Sequence, residues 1–231
     1  MKKNKTIICI AICIVLGITL IYNNIDWILS YQSPKKKENA YNQYDEYLKQ
    51  KYKEEMIINK VEYNSKDSLF IAYVSSKDNR RLNFTVSKWG DNSIKDDYFI
   101  KLWEMQMYEK MYDKVEDIFG SQTELNVSIS IYKDLYDKYS GLAENLPDYK
   151  DIILEIAEFT TINLTCSYDF KLIDSQDEYK KILYLIEYLS DNNILGDLSL
   201  YYQDDSLCEI DYMDWKQIKT ITSVEKYLRI M

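Results

Sequence analysis

The chain has no histidine at all, and only five glycines and two prolines in 231 residues. Without imidazole, the serine and cysteine hydrolase triads built on a histidine base are excluded, and so are most zinc enzymes. The glycines stand apart, at Gly17, Gly90, Gly120, Gly141 and Gly196. Phosphate loops and dinucleotide fingerprints need clustered glycines so that backbone can approach phosphate closely, so nucleotide chemistry is disfavoured.

Cysteine is also sparse. Of four, Cys9 and Cys13 fall in the apolar N-terminal run, which leaves Cys166 and Cys208 and at most one internal disulfide. Two small buried hydrophobes are the simpler expectation. Basic residues are in deficit: the chain carries a net charge of −9, and beyond residue 29 it has 26 basic against 37 acidic side chains, a net −11. Such a balance opposes nucleic acid as a partner. Anionic lipid headgroups are disfavoured too, except at the Lys35–Lys37 run, which reads as a flank or linker.

What the sequence does have begins at its start. Twenty uncharged residues, Thr6 to Ile25, lie between Lys5 and Asp26, and Lys2, Lys3 and Lys5 precede them. At about 1.5 Å per residue the run reaches roughly 30 Å, the hydrocarbon thickness of a bilayer. No small-residue cleavage site follows Tyr22, so an uncleaved anchor is expected over 1–29 rather than a removed signal peptide. The lysines against its N-terminal end predict an inside N-terminus and an outside C-terminal part.

Beyond a polar tether at 30–39, the pattern predicts an α+β chain of helices on small, mostly antiparallel sheets. Tyr41, Tyr44, Leu48 and Tyr52 share one face of a helix from about Glu38 to Glu55. Met56 to Tyr63, Leu69 to Ser75 and Arg81 to Ser87 follow as an antiparallel meander, the last with Leu82, Phe84 and Val86 in strict alternation. Asp96 and Asp97 open a helix with a Phe99, Trp103, Met107, Met111, Val115 and Ile118 stripe, stopping at Gly120. A strand over Leu125 to Ile131 completes a first domain, 40–132. In a second region, 133–231, the pattern gives a strand from Thr161 to Leu172 and a helix opened by a Ser175-x-x-Glu178 capping box. Two short strands, Leu198 to Tyr202 and Leu207 to Tyr212, precede a helix from Asp214 to the end.

Tyr44, Tyr47-Leu48, Lys51-Tyr52, Tyr63-Asn64, Leu82-x-Phe84-x-Val86, Asp97-Tyr98 and Leu102-Trp103-Glu104-x-Gln106 together resemble the YfjL-like proteins of Gram-positive bacteria, which are small and membrane-anchored. The resemblance covers about Ala40 to Tyr132 and rests on packing and capping residues. It implies a short N-terminal anchor, an outer α+β domain and no assigned activity, and it transfers no active site. The excess of Lys, Asn, Ile and Tyr over Gly, Pro and Ala fits an AT-rich bacterial genome.

Few side chains stand out as sites. Asp204, Asp205, Glu209, Asp211 and Asp214 are the densest carboxylate group and offer oxygen ligands for a hard cation, yet they match no calcium loop. A solvated strand edge explains them as well. Trp89 beside Gly90, and Tyr201-Tyr202 with one ring on each strand face, are candidate contact residues, or simply core rims. No catalytic residue and no cofactor is assigned. The expectation is a membrane-anchored extracytoplasmic module that binds an envelope protein or peptide through an acidic, tyrosine-rich surface. A hydrolase with paired carboxylates, or an acidic immunity or inhibitor protein, are the alternatives.

Overall fold

Ser68 holds a positive φ of 55° at the tip of the first hairpin, and the Asn64 side chain accepts hydrogen bonds from the amides of Lys66 and Asp67. That turn chemistry reverses the chain and sets the register of the two strands it joins. The computed structural model that contains it describes residues 17–19, 34–130, 132–143 and 145–230. The expected span over Thr6–Ile25 lies outside the described residues, apart from 17–19. Among the described residues no helix is long and apolar enough to cross a membrane.

The chain divides into two units, Met1–Asp96 and Asp97–Met231. The first opens with helix α1, Pro34–Lys51, so the second half of the expected tether is helical. Proline suits a first helical turn because its missing N–H has no intrahelical partner to lose, and Lys49 and Lys51 suit the negative end. The four strands β1 (Met56–Asn64), β2 (Leu69–Ser76), β3 (Asn83–Lys88) and β4 (Ile94–Asp96) form an antiparallel meander in chain order, with a bulge in β1 between Ile58 and Lys60. Helix α1 packs on β1 and β2. Tyr44, Leu48 and Tyr52 are buried with Val61, Ala72, Val74, Phe84 and Val86, while Tyr41 stays exposed.

The second unit holds helix α2 (Tyr98–Phe119), β5 (Glu124–Ile129), α3 (Lys133–Tyr139), α4 (Ile153–Ile156), β6 (Thr160–Thr165), α5 (Ser175–Asp191), β7 (Asp197–Tyr201), β8 (Leu207–Ile210), α6 (Ile221–Glu225) and β9 (Leu228–Arg229). Its sheet runs β5-β6-β7-β8-β9, antiparallel except for β6 and β7, which α5 connects in parallel. The α+β class with mostly antiparallel sheets is therefore as the sequence indicates.

Several expected boundaries move. The domain boundary falls at Asp96 instead of after Tyr132. The Phe99, Trp103, Met107, Met111 and Val115 stripe of α2 shares one core with Val127, Ile162, Leu198 and the Ile182, Ile186 and Leu189 stripe of α5. Each such side chain contributes about 1.5–3 kcal/mol on burial, so a helix goes with whichever sheet can cover its stripe. The strand expected to Leu172 stops at Thr165, and Phe170–Leu172 forms a 3-10 turn. The expected last helix is instead a 3-10 segment Tyr212–Gln217, the short α6 and the edge strand β9. On the sheet face opposite the core, Asn126, Asn163, Ser199 and Glu209 sit in one cross-strand row.

Candidate functional site

Trp89 lies in the turn between β3 and β4, where its amide donates to Ser93 O at 2.8 Å and Asn92 adopts a φ of 66°. Its ring is 55% exposed, and Lys95 Nζ stands 4.9 Å from the ring centroid. The indole stands at a loop tip with a cation over its face. It borders a cleft of about 420 Å³, walled by Lys36 and Gln43 of α1, Phe70 of β2, and Lys88. The Tyr44 hydroxyl donates to Phe70 O at 2.7 Å beneath this cleft, and burial pushes that phenol upward, partly offset by a backbone hydrogen bond from Lys88. A second cleft of about 440 Å³ shares Phe70 and is walled by Lys37, Tyr63 and Tyr73. Helix start and hairpin turns thus gather lysines and aromatics at one end of the first unit.

Two buried carboxylates, one in each unit, carry matching sets of partners. Asp96 accepts from Tyr47 Oη at 2.5 Å, Tyr52 Oη at 2.9 Å and Lys51 Nζ at 2.7 Å. Glu178 Oε1 accepts from Tyr168 Oη at 2.8 Å and Tyr202 Oη at 3.1 Å, and Lys181 Nζ lies 3.0 Å from Oε2. Burial raises the Tyr168 and Tyr202 phenols well above the ordinary tyrosine range, and the neighbouring Glu178 charge adds to it. Burial likewise pushes the Cys166 thiol up to about 11 and Cys208 to about 12. Both cysteines are free. Thiols held in the protonated form are poor nucleophiles.

Glu178 is where the sequence reading differs most. The residue expected to complete a capping box is 1% exposed in the core, and the true N-cap is Asp174, whose carboxylate accepts from the amides of Gln176 and Asp177. Asp96, expected to stabilise a helix start, is instead the buried last residue of β4. The only hint in the sequence was a tyrosine excess that needs hydroxyl partners once buried.

Of the two adjacent tyrosines, Tyr201 is 42% exposed on the polar sheet face and Tyr202 is buried against Glu178, so the alternation expected for them holds but only Tyr201 is open to a partner. The acidic group does not converge. Asp204 accepts from the amides of Phe170, Lys171 and Ser206. Asp205 occupies a left-handed turn position with φ 62°, Glu209 pairs with Arg229 at 3.3 Å, Asp211 accepts from Met213 N at 2.8 Å, and Asp214 accepts from Tyr227 Oη at 3.0 Å. Among the described residues no group of three or more metal-ligating side chains could hold an ion. The carboxylates of Asp204, Glu209, Asp211 and Asp214 are each occupied in organising their own turn or edge.

Charge is unevenly shared. Residues 34–96 carry 13 basic and 10 acidic side chains, a net +3, whereas residues 97–231 carry 13 and 27, a net −14. The acidity of the whole chain belongs to the second unit.

No protein-family model matches the chain, and no curated protein matches it. Among solved structures it is similar to a DUF5037 family protein from Ruminococcus gnavus ATCC 29149, at 16% identity over 75% of this chain and 76% of that one, with a TM-score of 0.45.

Proposed function

We propose that this chain is a membrane-tethered, extracytoplasmic, non-catalytic module that binds a basic peptide or a basic segment of an envelope protein through its second unit. The observation that carries the reading is the net charge of −14 on residues 97–231, together with the exposed rings of Tyr112, Tyr132, Tyr184 and Tyr201 on that unit. An acidic field speeds encounter with a cationic partner, and tyrosine supplies contact area with little conformational loss. The anchor over 6–25 and the outward orientation rest on the sequence pattern described above. Paired-carboxylate hydrolysis gains no support from Glu178 or Asp96, since each is already bonded to a lysine and two tyrosines. The inhibitor alternative is favoured by the same charge, if the basic partner is a toxin.

Crosslinking and capture from native membranes tests the proposal. A specific basic protein recovered at low salt and lost at high salt is expected. Repeated recovery of no specific partner removes the reading, and protease protection of the second unit in intact cells removes its placement outside.

A further inference from the structure

One end of the first unit offers a ligand both a flat ring and uncommitted amides. Trp89, Asn39, Gln43, Asn92 and Asp67 all line the cleft of about 420 Å³. That volume lies within the range of small-molecule pockets, roughly 300–1,000 Å³. Asn39 and Gln43 stand one helical turn apart on α1, so they share a face, and both are exposed. Asn92 reaches the same cleft from the β3–β4 turn, where its left-handed backbone and its amide bond to Trp89 O fix the loop that carries the indole. Among the described residues no hydrogen bond engages the side-chain amides of these three. Each therefore presents an acceptor and two donor protons to whatever fills the cleft.

Charge does not select the occupant. The lining sets Lys36 and the half-buried Lys88 against Asp67, Lys36 has a further interaction of its own, and Glu38 follows it in α1. An anion would meet Asp67 and a cation the two lysines, so the lining suits an uncharged ligand rich in hydroxyls. A sugar ring has that chemistry: its C–H face packs on an indole, while its hydroxyls, each both donor and acceptor, pair with carboxamides and a carboxylate. Lys95 Nζ stands over the Trp89 ring, which is still 55% exposed. The two strands that reach the cleft, β2 and β3, are internal to their sheet, so a peptide is offered no free strand edge. We propose that this cleft binds an uncharged oligosaccharide, with Trp89 as the stacking platform and Asn39, Gln43, Asn92 and Asp67 as hydroxyl partners. The site lies wholly within the first unit, so it depends neither on the basic-partner reading of the second unit nor on the anchor.

The test uses the full chain carrying Trp27→Phe, in phosphatidylcholine nanodiscs free of glycoside detergent, titrated with chitotriose, cellotriose and maltotriose. Trp103 and Trp215 are buried, so a sugar-dependent change in emission reports Trp89. A saturable shift with at least one of these trisaccharides is expected, and its affinity should fall about tenfold in the Asn39→Ala, Gln43→Ala double variant, which removes hydrogen bonds only. Titration calorimetry, which needs no fluorescent reporter, should show the binding heat lost in Trp89→Ala. The three substituted side chains are exposed, so an unchanged circular dichroism spectrum separates lost binding from lost folding. No response to any of the three sugars overturns the proposal, and so does a binding heat that Trp89→Ala leaves intact. A response to polyphosphate, or to a polyglutamate or polylysine peptide, without one to sugar overturns the oligosaccharide as occupant in favour of an anion or a peptide.

Discussion

Tyr202 and Glu178 are joined across 24 residues of sequence by a hydrogen bond of 3.1 Å, the tyrosine arriving just after β7 and the glutamate from the first turn of α5. The bond ties the parallel crossover to the strand it leads to, within the core. Because Glu178 also holds Tyr168 and Lys181, one carboxylate joins α5 to the segments that follow β6 and β7.

Removing that carboxylate leaves two buried hydroxyls without an acceptor. Glu178→Ala is expected to cost about 2–4 kcal/mol, and Glu178→Gln, which keeps an acceptor for the tyrosines, about half of that. Urea denaturation read by near-ultraviolet circular dichroism checks this. Equal losses for both variants would show that the ion pair with Lys181, and not the tyrosine pair, is what the site is built around.

Alkaline pH acts on the same cluster. Tyr168 and Tyr202 are raised above the ordinary 10.0 by burial, and Cys166 and Cys208 above the ordinary 9.0. The unfolded chain gives up these protons first, so their contribution is fully present below about pH 9 and is lost as pH rises through the folded values. Stability is expected to be level from neutral pH to about 9 and to fall above it. Denaturation curves across this range, compared with the Tyr168→Phe and Tyr202→Phe double variant, test the assignment; an identical alkaline decline in the variant refutes it.

Gly196 precedes β7 at a point where a methyl group has no room. A Cβ there would stand 2.7 Å from Thr160 Cγ2 and 2.8 Å from Thr160 O. Gly196→Ala should destabilise by roughly 1–3 kcal/mol. Adding Thr160→Ser removes the methyl contact but not the carbonyl one, so recovery is expected to be partial, and full recovery of the melting temperature would count against a backbone clash.

Asp204 fastens the Phe170–Leu172 turn to the β7–β8 hairpin through the amides of Phe170 and Lys171, and its own loop through that of Ser206. Asp204→Asn is expected to lower the melting temperature to the same extent with and without calcium. A calcium-dependent rise in the wild-type chain that this substitution abolishes would restore the acidic group as a cation site.

Local patterning was enough to place most elements. The Leu82, Phe84 and Val86 alternation and the Phe99 to Val115 stripe are repeats within a single element, and both are buried as their periods require. Gly120 takes a positive φ of 93° after Phe119, where a helix end was legible from the glycine itself. From sequence Asp96 reads as a helix-opening residue and Glu178 as part of a capping box, and the structure places both instead in buried networks. The polar partners that claim them, Tyr52 for one and Tyr202 for the other, come from outside the segment.

By itself, then, the sequence determined the α+β alphabet and the exclusion of imidazole chemistry, because composition and period are properties of one strand or helix at a time. Only the tertiary structure decided that α2 belongs with the second sheet, that the acidic residues disperse among separate turns, and that two carboxylates lie buried among tyrosines. Those outcomes depend on which surfaces meet, and a carboxylate is driven to the interior or left in water by partners that distant parts of the chain supply.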